Sequence, residues 1–205
     1  MSDLVVRKLN KSFGKKVVLK DFSGVFPEGK GSSIMGSSGC GKTTLLHILM
    51  GIEKADSGEI TGMPRKISAV FQEDRLFDSF SALSNIRAVT GKEVPEERIR
   101  EHLNALGITE TENKPVSQFS GGMRRRVAIV RAVLCDADLI LMDEPLKGLD
   151  QETKEVVMDY IKKQTRGKTT IIVTHDEEEA EALGEHKIRM TEVNRRDSDE
   201  SQNSE

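Results

Sequence analysis

The sequence predicts an α/β fold: a mostly parallel sheet with an antiparallel β layer at its edge and an inserted helical lobe. The apolar run at residues 139–142 and the β-branched run at 169–174 are typical of strands buried on both faces of a parallel sheet. Between residues 73 and 135 the periodicity becomes helical, which predicts the lobe. The 205 residues suffice for one domain, which we assign to residues 1–193, and we expect the polar residues 194–205 to form a disordered tail.

Composition and charge exclude several classes of function. The formal net charge is -3 and the pI is about 5.9, so the overall charge does not favour a nucleic-acid partner. Only a local basic patch could bind one. No apolar run approaches the roughly 18 residues that span a bilayer, and the N-terminus lacks a secretion signal, so we expect a cytoplasmic chain. Cys40 and Cys135 have no metal-type spacing, which indicates a reducing compartment.

A glycine-rich segment lies between a predicted strand at residues 31–35 and a predicted helix at 45–50. It has the pattern of Gly, four residues, then Gly-Lys-Thr, in which backbone N–H groups curl around phosphates at a helix N-terminus. Lys42 would reach the β- and γ-phosphates, and the Thr43 hydroxyl would ligate Mg²⁺. A plain glycine-rich turn is the alternative. We predict a nucleotide site formed by Gly36, Ser37, Ser38, Gly39, Cys40, Gly41, Lys42, Thr43 and Thr44.

Short β-type runs flank this segment. Residues 4–9 and 17–22 predict two strands of the antiparallel layer, joined by a turn at 13–16. Phe13 in that turn offers a face on which an adenine ring can stack, although taken alone an aromatic packed on the surface is the simpler interpretation. Residues 58–60 and 67–71 predict two further strands, the second ending at Gln72.

The lobe contains three predicted helices. Residues 81–89 and 95–106 have helical periodicity, and Gly107 supplies a C-terminal stop. Ser120 caps a third helix that runs to about Cys135. We predict that its inner face carries Val127, Val130, Val133 and Leu134 and that its largely external face carries Arg124, Arg125, Arg126 and Arg131.

Acidic residues and a histidine follow the two buried strands. Because open parallel sheets bind ligands at the C-terminal ends of their strands, we expect Asp143, Glu144 and His175 to meet the phosphate loop. Asp143 would hold Mg²⁺ against the β,γ-phosphates, and Glu144 would act as general base toward the attacking water. The alternatives are a charged turn and a packed histidine, but beside a phosphate loop we interpret His175 as a γ-phosphate sensor.

Taken together, these segments resemble the ATP-binding cassette (ABC) ATPases over residues 4–193. The likeness rests on the phosphate loop, Gln72, Phe119-Ser120-Gly121-Gly122-Met123, residues 139–145, Gly148-Leu149-Asp150 and His175, in this order and spacing. The most specific element is Ser120-Gly121-Gly122, because kinases, GTPases and helicases share the phosphate loop but lack it. This segment is also a second glycine-rich helix N-terminus, and hence a second anion site.

The resemblance implies a P-loop NTPase core of the ABC ATPase type that binds ATP and Mg²⁺, hydrolyses ATP and forms a head-to-tail dimer around two nucleotides. It assigns these further roles: Gln72 as a catalytic and Mg²⁺ contact, Phe13 on adenine, Asp150 at the dimer interface, and Ser120, Gly121 and Gly122 on the γ-phosphate of ATP held by the second copy. Phe119 and Met123 depart from the usual Leu and Gln, and Lys147-Gly148 from the usual small residues.

Transport proteins of this family need membrane-spanning domains, so we expect this chain to serve a separate permease subunit on the inner face of the membrane, with a solute-binding protein in the complex. Residues 70–77 look like the corresponding segment of importers of the nitrate, sulfonate and taurine group, which implies import of a small anion or organic solute. In that segment, Leu76 and Phe77 either dock the permease or anchor the lobe to the core.

Two other functions stay open from the sequence. A soluble, non-transport ABC ATPase of DNA repair or translation would usually carry coiled-coil insertions or two cassettes, and the sequence has neither. A module that senses ATP without hydrolysing it would not need both Glu144 and His175. The regulatory domain that follows the cassette in sugar importers is also expected to be missing, because little sequence follows His175.

Overall fold

A computed structural model of the chain describes residues 2–109 and 114–191, so the predicted tail at 194–205 lies outside the described residues. Within these ranges the strands are β1 (Leu4–Phe13), β2 (Lys16–Phe26), β3 (Gly31–Met35), β4 (Ser57–Thr61), β5 (Ile67–Val70), β6 (Leu139–Asp143), β7 (Thr169–Val173) and β8 (His186–Arg189). The α-helices are α1 (Lys42–Leu49), α2 (Ala82–Thr90), α3 (Glu96–Ala105), α4 (Gly121–Leu134), α5 (Gln151–Gln164) and α6 (Glu177–Leu183).

A parallel sheet forms the centre of the fold, with the strand order β5-β6-β7-β3-β8. All residues of β6 are buried, as its unbroken apolar sequence predicts. Alternate residues of β6 enter different cores: Leu139 and Leu141 face one core, and Ile140 and Met142 face the other. The sheet is therefore covered on both faces.

The antiparallel layer has the strand order β2-β1-β4. Together with α1 it covers the face of the parallel sheet that carries Leu139, Leu141, Ile171 and Val173. Helices α2 to α5 pack into the core on the opposite face. The predicted α/β fold class, with its parallel sheet, antiparallel layer and helices, is confirmed.

Helix α4 joins the lobe to the sheet. Its buried residues include Val127, Val130, Val133 and Leu134, as predicted, and its Ala132 carbonyl accepts a hydrogen bond from Ser68 of β5 at 2.9 Å. The prediction that its arginines lie largely outside is wrong for Arg125, which is 7% exposed, and the other three are only partly exposed. Arg125 precedes the buried Ile129 by four residues, so it falls on the inner face of the helix.

Of the helices and strands named above, the helix α6 and the strand β8 were not predicted. In the described part of the chain, no helix is long and apolar enough to cross a membrane.

Candidate active site

The parallel sheet brings four chain segments to one edge. The C-terminal ends of β3, β5, β6 and β7 are followed by the phosphate loop, by Gln72, by Glu144 and by His175 respectively. Because these strands are parallel neighbours in the order β5-β6-β7-β3, the four segments lie side by side. The topology thus supports the convergence that we expected from the sequence.

The phosphate loop is shaped by close packing. Gly41 precedes α1 with a φ of 100°, and a Cβ at this position would lie 2.8 Å from the Val18 carbonyl oxygen of β2. Only glycine therefore fits between the loop and the antiparallel layer. Among the described helices, α2, α4, α5 and α6 each receive a side-chain N-cap, whereas α1 and α3 do not. The first amides of α1 remain donors for an anion.

Lys42 is the first residue of α1 and is 7% exposed. Its Nζ donates to the carbonyl oxygens of Gly36 at 2.7 Å and of Ser37 at 2.8 Å. The ammonium group is thereby held inside the arch of the loop, where the phosphates of a nucleotide would lie.

Thr43, Gln72 and Asp143 line one cleft of about 420 Å³, which also includes His47, Phe71, Glu73, Arg75 and Lys147. The Asp143 carboxylate is 3% exposed and accepts a hydrogen bond from the Thr43 hydroxyl. Burial raises the pKa of Asp143, and the Thr43 hydrogen bond and the nearby cationic groups only partly oppose this rise. A buried carboxylate with a raised pKa is a group that a bound cation would keep ionised.

Glu144 has an unusual backbone, with a φ of 47°, and its N–H donates to the Val173 carbonyl at 2.8 Å. Its two carboxylate oxygens face different partners: Oε1 lies 3.3 Å from Nδ1 of His175, and Oε2 lies 2.9 Å from Nζ of Lys147. Burial would raise the pKa of Glu144, but the hydrogen bond and charge of Lys147, aided by His175, outweigh it and lower the pKa. Glu144 is therefore ionised at neutral pH.

The segment that contains Gln72 is held by α4. The Arg125 guanidinium donates to the carbonyl oxygens of Phe71 and Gln72 and forms an ion pair with Asp74 at 3.2 Å. Arg131 adds hydrogen bonds to the carbonyl oxygens of Asp74 and Arg75. Sequence reasoning missed Arg125 because its charge suggested an external position. Its helical spacing to Ile129 was the signal available.

Ser120 caps α4 as predicted, since its hydroxyl accepts from the Met123 N–H at 3.2 Å. The Gly122 backbone lies against Leu149, whose Cδ2 would be 3.2 Å from a Cβ at that glycine. The next residue, Asp150, caps α5 by accepting from the Thr153 N–H at 2.9 Å. Helix α4 and helix α1 belong to the cores on opposite faces of the sheet, and residues 120–122 do not line the cleft with Thr43.

Phe13 lies where β1 turns into β2, and its ring is 49% exposed. The Lys11 ammonium lies 4.8 Å from the centre of the ring. Val18 of the same hairpin packs on Gly41 of the phosphate loop. Phe13 is thus an exposed aromatic side chain on the hairpin that borders the loop.

A phosphate loop, a buried aspartate hydrogen-bonded to its threonine and a glutamate paired with a histidine define the P-loop NTPase class. Residues 19–147 match the ABC transporter family. The dimeric ABC transporter cassette MJ0796 superposes with a TM-score of 0.81 at 31% identity, covering 94% of this chain and 97% of that one. A dimeric post-hydrolysis state of the same cassette, bound to ADP and Pi, superposes with a TM-score of 0.80.

Curated relatives are ATP-binding proteins of import systems. The taurine import protein TauB of Pelagibacter ubique is 40% identical, over 90% of this chain and 77% of its own length. The Fe(3+) import protein FbpC of Mannheimia succiniciproducens and the spermidine/putrescine import protein PotA of Haemophilus influenzae are each 35% identical. These matches cover 91% and 90% of this chain, which spans only 58% and 54% of those two relatives.

The chain belongs to the ABC transporter family and is one of its ATP-binding ATPase cassettes. The predicted resemblance to ABC ATPases of the taurine importer type is confirmed, as are the P-loop NTPase fold and the ATPase activity. The relatives also support a subunit of an import system over a soluble ATPase of another process.

Proposed function

We propose that this chain hydrolyses ATP with Mg²⁺ at the cleft beside Thr43 and Asp143, and that hydrolysis drives import of a small anion or organic solute through a separate permease. The observation that carries the proposal is the placement of Glu144. It is an ionised carboxylate at a strand end, 3.3 Å from His175 and next to the aspartate that contacts the phosphate-loop threonine.

Each group has a distinct part in the proposed reaction. The phosphate loop and Lys42 bind the phosphates and oppose the charge that develops on them. Glu144 accepts the proton of the attacking water, for which it must be ionised, and Lys147 and His175 lower its pKa in the resting structure. His175 lies on the other side of the same carboxylate, where it can contact both Glu144 and the γ-phosphate. Gln72 lines the cleft and would orient the water or the metal.

The residues present fit a magnesium ion. Thr43, Gln72 and Asp143 offer oxygen ligands around one cleft, and burial raises the pKa of Asp143, an effect that a bound cation would oppose. Mg²⁺ commonly takes one or two protein oxygens together with substrate phosphates and water. When bound, it would neutralise charge between the β- and γ-phosphates.

A second copy of the chain completes the proposed site. The N-terminus of α4 has Ser120 as its cap and two glycines at its first positions, so its amides can receive an anion. Because α4 and α1 lie on opposite faces of the sheet, we propose that this anion is the γ-phosphate of ATP held by the other copy. Asp150 follows Leu149, which packs on Gly122, and would lie at the same dimer interface.

The proposed partners are a transmembrane permease and, in the assembled importer, a solute-binding protein. The name of TauB supports a small organic solute as substrate class, but the membrane and binding subunits would select the solute. This arrangement would place the chain at the cytoplasmic face of the membrane. Phe77 and Phe80 are 53% and 47% exposed with ring centres 5.4 Å apart, and they form the surface that we propose for the permease.

The substitution Glu144→Gln tests the proposed function. It removes the base but keeps the size of the side chain, so turnover should fall about 10²- to 10⁴-fold while ATP binding persists. Phosphate release and binding of a fluorescent ATP analogue would be measured on the same preparation. Glu152→Gln, an exposed residue of α5, is the matched control. Full turnover in the Glu144 variant would exclude Glu144 as the base.

A further inference from the structure

Lys147 lies in the turn after β6 and faces back onto Glu144. Its backbone N–H donates to the Glu144 carbonyl at 3.1 Å, and its Nζ lies 2.9 Å from Oε2 of the Glu144 side chain. Lys147 also lines the cleft that contains Thr43 and Asp143. A small residue, which the family resemblance leads one to expect here, could not reach the carboxylate.

The two partners of this ion pair differ in freedom. The Glu144 side chain is 18% exposed and extends from a backbone held in the left-handed region, so the position of its carboxylate is well defined. The Lys147 side chain is 50% exposed and can leave at little cost. Gly148 follows it with a φ of 78°, and a Cβ at this glycine would meet nothing within 4 Å. The lysine is therefore the partner that can move.

The ion pair engages a carboxylate oxygen that Glu144 needs to act as a general base. With Oε1 facing His175 and Oε2 facing Lys147, both oxygens of Glu144 are engaged. An oxygen held 2.9 Å from an ammonium group in an ion pair is a poor acceptor for a proton from water, because the nearby positive charge opposes the arrival of another. Water can be activated only when one of these contacts opens.

We propose that Lys147 is a positioning residue that holds the Glu144 carboxylate at rest and must release it before Glu144 can accept a proton from water. The inference rests on the proposed role of Glu144. Lys147 keeps its own proton throughout, and the proton of the water passes to Glu144.

The test compares Lys147→Met, which keeps the length of the side chain without its charge, with Lys147→Arg, which keeps a cation. If Lys147 restrains the base, kcat of the Met variant should rise about 2- to 5-fold, the range expected for loss of a partly exposed ion pair, while KM for ATP stays unchanged. The Arg variant should return kcat toward that of the parent chain. Lys162→Met on α5 is the exposed control.

Two results would overturn the proposal. A rise in KM with a fall in kcat would make Lys147 a phosphate ligand, and unchanged kinetics would make the ion pair inconsequential. The double variant Glu144→Gln, Lys147→Met separates this inference from the proposed function: with the base removed, loss of Lys147 should no longer raise turnover. A rise that persists in the double variant also counts against the inference, whereas full activity of Glu144→Gln alone would remove its premise.

Discussion

At the scale of single residues, the backbone conformation at the site determines where the functional side chains point. Glu144 has a φ of 47°, and its N–H is fixed by Val173 of the neighbouring strand. This geometry turns the carboxylate toward His175 instead of letting it follow the strand direction. The cost of a left-handed backbone at a non-glycine residue is of order 1 kcal/mol or more, and such residues concentrate at functional sites.

Lys42→Ala should weaken ATP binding about 10- to 100-fold and reduce turnover with it, because a charge-assisted contact to the phosphates is lost. A fluorescent ATP analogue would measure the affinity. The variant also leaves the Gly36 and Ser37 carbonyls without their donor, so thermal melting should be recorded in parallel. Lys162→Ala serves as the control. Unchanged affinity in a folded Lys42→Ala chain would mean that Lys42 does not face the phosphates.

At the scale of elements, α4 connects two parts of the site. Its N-terminus carries Ser120, Gly121 and Gly122, and one turn later Arg125 holds the carbonyls of Phe71 and Gln72. A displacement of α4 would therefore move Gln72. The helix is a rigid link between the proposed interface with the second copy and the cleft of the first.

Helices α3 and α5 meet through a titratable contact. Nδ1 of His102 lies 2.8 Å from the Tyr160 hydroxyl, and burial, followed by the charge of Arg98, lowers the pKa of His102 although Glu101 opposes this. As pH falls through about 6.5, His102 therefore binds a proton in the unfolded chain before it does so in the folded chain. The free energy of unfolding should decline from there until pH falls below the pKa of His102 in the folded chain. Above about pH 6.5 His102 is neutral in both the folded and the unfolded chain, and its contact with Tyr160 contributes fully to stability.

His102→Gln should remove this contribution, so its melting temperature should fall less than that of the parent chain between pH 7.5 and pH 5.5. Calorimetry at both pH values would measure the difference. Tyr160→Phe removes the hydrogen bond but leaves His102 buried, and it should keep the steeper dependence on pH. Equal slopes for His102→Gln and the parent chain would show that His102 does not contribute.

The segment after Gln72 resolves an ambiguity that the sequence left open. Leu76 packs against the core that includes α4, whereas Phe77 is 53% exposed and its N–H is fixed by Asn85 at 2.8 Å. Leu76 therefore anchors the lobe, and the ring of Phe77 remains available. Of Leu76 and Phe77, only Phe77 keeps the docking prediction.

Phe77→Asp should abolish co-purification with the permease while leaving folding and ATP binding intact, because the ring is exposed but the surrounding backbone is held by Asn85. Ile52→Asp is a control of equal exposure on another surface. Pull-down of the tagged permease together with melting curves would separate the outcomes. Loss of folding, or retained co-purification, would contradict the docking role.

Much of the element pattern could be predicted because it depends on local sequence. The N-termini of α2 and α4 follow from their N-caps, Ser81 and Ser120, and the position of β6 follows from its apolar run. The acidic helix α6 and the four-residue strand β8 carry weak periodicity and were missed. The burial of Arg125 and the pairing of Lys147 with Glu144 depend on contacts between elements or across a turn, which residue type alone does not reveal.

At the scale of the whole molecule, two copies should close around two ATP molecules when hydrolysis is blocked. In Mg-free ATP, Glu144→Gln should elute as a dimer from a sizing column by mass action, since ATP binds the closed form. A monomer at high protein concentration would count against ATP-driven dimerisation.

A substitution at the N-terminus of α4 tests the cause of that dimer. Gly122→Asp would crowd Leu149 at 3.2 Å, whereas a Cβ on Gly121 meets nothing within 4 Å. Gly121→Asp is therefore the cleaner probe, because it adds negative charge where a phosphate should bind without disturbing the fold. Combined with Glu144→Gln, it should abolish the dimer but not ATP binding. A dimer that persists would exclude this helix end as the contact.

The strand order also sets a delay during synthesis. Within residues 2–109 and 114–191, strand β3, which leads into the phosphate loop, pairs only with β7 and β8, at residues 169–173 and 186–189. At ribosomal speeds of about 5–20 residues per second, β3 waits on the order of 10 s for its neighbours. A nascent chain that stops before β7 would present the loop sequence without the sheet that shapes it. Nucleotide binding by a nascent chain would therefore report that translation has passed β7, at residues 169–173.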